Sequence, residues 1–242
     1  MIRSLRSQLL TGMVGLCLCQ TAPGQEVEIV MPLFGNLVTE RGDGLYEQLF
    51  YEAADRIRSP YTVRHYPFKR AVQYFVEHAG SCLIADDVTR DRIERIKLVS
   101  SYPFGAAKVH IFSLRGQPVV SSMDELEGKR LGGTRHDIGY YGPVISRGIA
   151  IDYAPTQILS LEKLKAGRVD AILGIVPDFI PYLGQVDFDP DHPLTVFYDR
   201  LICHDNGLGR SVTERVSEAL EAMKSEGFTQ GIMGSQHVEF DY

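Results

Sequence analysis

The sequence predicts an α/β protein whose mostly parallel sheets are covered by helices. Short β-rich runs alternate with amphipathic helical stretches, the links between them are short, and no repeat, low-complexity stretch or long charge run breaks the alternation. Composition agrees: 242 residues with 44% hydrophobic and 23% charged side chains exclude a disordered, collagen-like or disulfide-dense chain. The formal charge of -6 argues against a nucleic acid partner, whose phosphates would meet an acidic surface.

Residues 1–24 stand apart. Arg3 and Arg6 form a basic start, Leu9 to Leu18 is an apolar run, and Ala22 and Gly24 place small residues before a cleavage point. The run falls short of the ~20 apolar residues needed to cross a bilayer, so a secretory signal peptide is predicted. Cleavage would remove two of the 25 basic residues and none of the 31 acidic ones, leaving a formal charge of -8. Cys17 and Cys19 would leave with it; a lipid anchor at Cys19 is a minor alternative, because Leu18 rather than a small residue precedes it. Cys82 and Cys203 remain. In an oxidising compartment an even pair predicts a disulfide, worth ~4 to 5 kcal/mol for a loop of this length on the chain-entropy model; the alternative is two buried free thiols.

The elements follow in order. Glu26 to Met31 is a first strand ended by Pro32, and Gly44 to Arg58 a helix with Leu45, Leu49 and Ala53 on one face, stopped by Ser59-Pro60. Tyr61 to Tyr66 is a strand, Lys69 to His78 a helix with Ala71, Val72 and Phe75 inward, and Cys82 to Ala85 a third strand. Ala106 to Leu114 opens a second α/β unit. A brief turn at Asp124 to Leu126 precedes a strand over Lys129 to Gly132, and Ser160 is predicted to cap a helix that buries Leu161 and Leu164 and stops at Gly167. A strand from Val169 to Leu173 follows, and Val212, Val216, Ala219, Leu220 and Met223 mark a last amphipathic helix ended by Gly227.

Several segments, taken together and in order, resemble the family 3 solute-binding proteins of ABC transporters, a group that includes polar amino acid binders. Thr89-Arg90-Asp91-Arg92 is similar to their T-x-x-R, Ser101-Tyr102-Pro103-Phe104 to S-x-P-Y, and Asp124 to Gly132 to D-x-L-x-G-K-x-V-G with Leu131 for Val. Leu164 to Ala171 matches L-x-x-G-R-V-D-A, and Ser225 to Ile232 is similar to the closing D-G-x-x-x-x-I. The resemblance implies a type II, two-lobed periplasmic binding protein-like fold, each lobe a mostly parallel sheet covered by helices, joined by a hinge of two crossing strands. Lobe 1 would comprise 25–107 and 197–242, and lobe 2 108–196; both cysteines then fall in lobe 1, where a disulfide leaves the hinge free. The implied protein is a periplasmic, non-enzymatic, cofactor-free receptor, expected to act as a monomer. It would trap a small polar solute, amino acid-like or a related carboxylate or amine, for an ABC transporter permease.

The resemblance also suggests ligand positions. Arg92 is the place where relatives grip a ligand carboxylate, while Arg95 lies nearer the usual distance from Ser101; a guanidinium suits that task through paired hydrogen bonds. Thr89 belongs to the same segment. Thr134 and Asp137, with Arg135 and His136, follow a lobe 2 strand where a helix N-terminus would face an anion. The place of the ammonium-binding aspartate holds Ile175, which cannot pair with a charge, and Asp178 is three residues beyond. From the residues themselves, Phe34 and Phe104 are aromatic candidates, and Asp86, with Asp87, ends a strand where open α/β sheets bind ligands.

Catalytic and metal signals are poor. There is no G-x-S-x-G, H-E-x-x-H or Walker loop. Asp187, Asp189 and Asp191 lack the glycine and the Glu of a calcium loop, because His192 and Tyr198 stand in those places. Two alternatives remain at this stage: a dehydratase-like enzyme on the same fold, using Asp86, Asp170 or His136, and a sensory solute-binding module.

Overall fold

A computed structural model describes residues 26–242. The predicted signal peptide, with Cys17 and Cys19, lies outside the described residues.

The first β-rich run forms β1 (Val27–Pro32), buried at five of six positions as a strand covered on both faces requires. Helix α1 (Leu45–Ile57) turns Leu49, Phe50, Ala53 and Ala54 inward. Its preceding residue, Gly44, has no side chain with which to cap it. The buried Glu47 does so instead, accepting from the backbone N–H groups of Gly44 (2.7 Å) and Thr39 (2.9 Å). β2 (Tyr61–Tyr66), α2 (Phe68–Glu77) and β3 (Ser81–Asp86) follow in the predicted order, then α3 (Asp87–Asp91) and β4 (Leu98–Ser100).

The chain crosses to its second half on β5 (Gly105–Leu114). There it forms β6 (Leu131–Thr134), α4 (Gly142–Ser146), β7 (Ile151–Ala154), α5 (Gln157–Lys165), β8 (Ala171–Val176) and β9 (Val186–Phe188). It returns on β10 (Thr195–His204) and ends in α6 (Gly207–Ser225) and α7 (Phe228–Met233). One predicted boundary is corrected. Ser160 lies buried inside α5, whose cap is Thr156, accepting from the Leu159 N–H at 3.4 Å; both hydroxyls suit a cap, and the earlier one is where the backbone is still extended.

All ten strands join in one sheet, eight of them along the path β2-β1-β3-β10-β5-β8-β6-β7, with β4 on β10 and β9 on β5 beside it. β1 pairs in parallel with β2 and β3, and β6 in parallel with β7 and β8. The two ten-residue strands β5 and β10 stitch these parallel groups together. They pair antiparallel with each other over Gly105–Val109 and Thr195–Asp199, after which β10 continues along β3 and β5 along β8. Each half is layered. In the first, α1 and α6 cover one face of the sheet through Leu49, Phe50, Val216 and Leu220, and α2 covers the other through Ala71 and Phe75. In the second, Leu131, Tyr141 and Leu173 fill one side, while Leu161, Leu164, Phe112 and Phe179 fill the other.

Cys82 on β3 and Cys203 on β10 are bonded as a disulfide. The pair is dictated by register: the two residues stand directly opposite across the antiparallel strands, with Cα atoms 4.3 Å apart. That matches the ~4.5 Å of the closer class of antiparallel neighbours.

Candidate functional site

Where β10 and β5 cross, the ends of several strands open onto a cleft bounded by both halves of the molecule, with about 500 Å³ of space that includes open solvent. Its floor carries Ala107 of β5, Ile175 of β8 and Phe197 of β10. The first half contributes Phe34, Leu37, Tyr46, Asp86 and Asp199; the second contributes His136, Asp137, Tyr140, Pro177 and Asp178. A smaller space of about 310 Å³ continues from it beside Phe34, Tyr46, Asp86 and Asp199.

Local structure explains how these side chains arrive. Asp86 ends β3 and caps α3, accepting from the Thr89 N–H (2.7 Å) and hydroxyl (3.1 Å). Asp199 is its cross-strand neighbour on β10 and accepts from the Tyr46 hydroxyl at 2.5 Å. Tyr46 can lie there because the residue beside it is Gly105, where a Cβ would stand 2.8 Å from the phenol oxygen. On the other side, the turn after β8 closes with the Phe179 N–H on the Ile175 carbonyl (2.8 Å), which brings Asp178 to the cavity. Tyr140 spans the cleft: its hydroxyl donates to Asp86 (3.0 Å), and its ring stacks on Phe197 with centroids 4.5 Å apart.

Four carboxyl groups therefore line one cleft, and the ionisation of Asp137, Asp178 and Asp199 reflects it. Loss of water pushes Asp199 up to about 7; the Tyr46 hydrogen bond opposes this, while the charges of Asp86, Asp178 and Asp87 add to it. Asp178 is reached by solvent yet recessed between the halves, and removal from bulk water lifts it to about 6, with Asp137 adding and His136 opposing. Burial also raises Asp137, against the hydrogen bond from the Thr134 hydroxyl.

The predicted ligand residues divide. Phe34, Asp86, Asp137 and Asp178 meet on the cavity wall. Thr89 and Arg92 line a wider mouth with Phe34, His136 and Tyr140. There the Arg92 guanidinium packs against Gly139, where any side chain would collide with it. Arg95 is exposed and lines neither the cavity nor its mouth. Phe104 is fully buried beneath Tyr46, with ring centroids 5.9 Å apart, and belongs to the core rather than to the cavity wall. Thr134 sits behind the wall and holds Asp137.

After β6, where a helix N-terminus was expected, the chain forms a shorter turn. Ile138–Tyr140 is a single 3-10 turn and α4 is five residues long. The N–H of Thr134 donates to the Tyr141 hydroxyl and that of Arg135 to the Ala154 carbonyl, so neither is left for an anion. Asp170, a candidate acid in the enzyme reading, is away from the cavity and paired with Arg130 at 2.6 Å, which holds its carboxyl down at about 2.

Sequence reasoning missed Asp199 and undervalued Tyr46. The one available signal was position: Asp199 lies two residues beyond 197, where the chain was expected to return to lobe 1.

The architecture is that of the two-lobed, type II periplasmic binding proteins, and many structural neighbours are family 3 solute-binding proteins. One is the GluR0 ligand-binding core from Nostoc punctiforme in complex with L-glutamate: 17% identity, TM-score 0.62, covering 87% of this chain and 98% of that one. The unliganded open L-cystine solute receptor of Neisseria gonorrhoeae is similar over 87% and 92% of the two chains, at 12% identity and TM-score 0.66. A probable amino-acid ABC transporter extracellular-binding protein from Bacillus subtilis shares 16% identity over 88% and 97%, with a TM-score of 0.64. No protein-family model matches the sequence, and no curated protein matches it at a significant level. Among the described residues, no helix is long and apolar enough to cross a membrane.

Proposed function

We propose that this protein is an exported solute receptor that holds a small, polar, amine-bearing solute between two lobes and hands it to an ABC transporter permease. The lobes would be 25–107 with 197–242, and 108–196, hinged on β5 and β10, and the receptor would act as a monomer in the periplasm. One observation supports this reading above the others: the largest convergence of polar and aromatic side chains lies at the crossing of those two strands, contributed by both halves. Asp86, Asp137, Asp178 and Asp199 would contact the solute, Phe34 and Tyr140 would close over it, and Thr89 and Arg92 would guard the mouth. Hinge closure is the motion this architecture allows, because only two strands need to bend.

A thermal-shift screen of the purified protein against amino acids, amines, carboxylates and sugars tests the proposal. A bound solute at a hundred times its Kd raises stability by ~2.7 kcal/mol, a readily visible change in Tm. The receptor reading fails if no class of solute shifts the transition.

A further inference from the structure

We propose that the cleft takes a small organic cation without a carboxylate, an alkyl amine, diamine or alkyl guanidine, in preference to an α-amino acid. This rests on the receptor reading above and specifies its ligand.

The balance of charge on the wall points this way. Asp86 and Asp199 stand side by side on the first half, and Asp137 and Asp178 on the second, while the sole basic side chain lining the cavity is His136, itself exposed. An α-amino acid brings an anionic group with it and needs a cation to receive it. The arginine available in the neighbourhood, Arg92, lies at the mouth against Gly139 and is not part of the cavity wall. Ile175 adds an apolar floor where a charged group would be unpaired.

Acidic side chains on an open surface would hold nothing in particular. Here they alternate with Phe34, Tyr46, Tyr140 and Phe197 around a cleft that is partly open to solvent. Aromatic faces attract ammonium and guanidinium groups and pack against a hydrocarbon chain, so the same wall accommodates both parts of such a ligand. The spacing of the acids matters too. Asp86 and Asp199 come from one side of the cleft and Asp137 and Asp178 from the other, so a ligand with a cationic group at each end can meet both pairs. The upward displacement of Asp178 and Asp199 agrees, since a bound cation would supply the counter-charge these groups lack.

Calorimetric titration of the full mature protein at pH 8 with two matched pairs tests the inference: L-arginine against agmatine, and L-lysine against 1,5-diaminopentane. Within each pair the amino acid differs from its partner by the carboxylate alone. The expected result is binding at least tenfold tighter for the decarboxylated member of one pair or both. Equal or tighter binding of the amino acids overturns the inference and leaves the receptor reading standing. Absence of binding by all four also overturns it, and the solute screen then decides separately whether the receptor reading survives. For the amine that binds, Asp178→Asn and Asp199→Asn are each expected to weaken affinity tenfold or more with the far-UV circular dichroism unchanged, whereas Asp170→Asn leaves affinity as it was. Affinity unchanged in both cleft variants would overturn the assignment.

Discussion

On the first half of the cleft the polar side chains of the wall stand on long, mutually bonded elements, with only Phe34 and Leu37 on a turn; on the second the polar side chains stand on turns. Tyr46 belongs to the 13-residue α1, Asp86 ends β3 opposite Asp199 in the middle of β10, and the Cys82–Cys203 bond ties the same two strands four residues further along. Across the cavity, Asp137 and Tyr140 sit on the short turn between β6 and α4, and Asp178 on the turn that follows β8. Strand ends in a ladder open only with the sheet, whereas turns open locally and at lower free energy. One wall is thereby preorganised and the other adaptable, and closure on a ligand is expected to be absorbed by the second.

Breaking the rigid wall should produce the largest effect. The double replacement Cys82→Ala with Cys203→Ala frees a loop with a sequence separation of 121 residues. The expected loss is up to about 5 kcal/mol on the chain-entropy model, read by denaturant titration. A loss below ~1 kcal/mol would mean that the strand pairing alone holds this wall.

Charge on the same wall gives the next effect, and its sign is fixed. Asp199 has a folded pKa of about 7 against an ordinary 3.8, so the folded protein holds that proton more tightly than the unfolded chain. Its contribution is complete below pH 3.8 and is lost as pH rises through 7, by up to about 4 kcal/mol, with Asp178 acting in the same sense around pH 6. His110, held below its ordinary value by burial, acts in the opposite sense, while Asp170 and Asp189, near 2, stay ionised across this window. The Tm of wild type relative to Asp199→Asn should therefore fall between pH 4 and pH 8. A flat difference would show that the carboxyl is not deprived of water there.

The smallest expected effect lies on the adaptable wall. Tyr140→Phe removes the hydrogen bond to Asp86 across the cleft and keeps the ring on Phe197. A loss of about 1 kcal/mol in stability is expected, with a larger radius of gyration in X-ray scattering if that bond holds the ligand-free halves together. An unchanged radius would assign closure to other contacts.

Much of the fold was legible in the sequence, because its signals are local. The spacing of Leu45, Leu49 and Ala53 and of Val212, Val216 and Met223 sets helix faces, and Ser59-Pro60 and Gly227 stop those helices. Short strands such as β4, β7 and β9 left no such trace, since three or four residues carry too little periodicity and owe their state to a neighbour. Within the site, Asp86 could be found from its place at the end of a strand. Phe104 is an aromatic candidate for the cleft by sequence, but position along the chain does not say which way a side chain points, and its ring turns into the core.

The sequence by itself determined the order of strands and helices, because hydrophobic period and turn chemistry act within a few residues. It also supplied the two cysteines, though not their register. Only the tertiary structure decided that Asp199 meets Tyr46 across 153 residues of chain and that four aspartates from separate elements share one cavity. No local propensity encodes that convergence. It arises from the crossing of β5 and β10, which brings distant strands together and sets carboxylates from separate elements around an apolar floor.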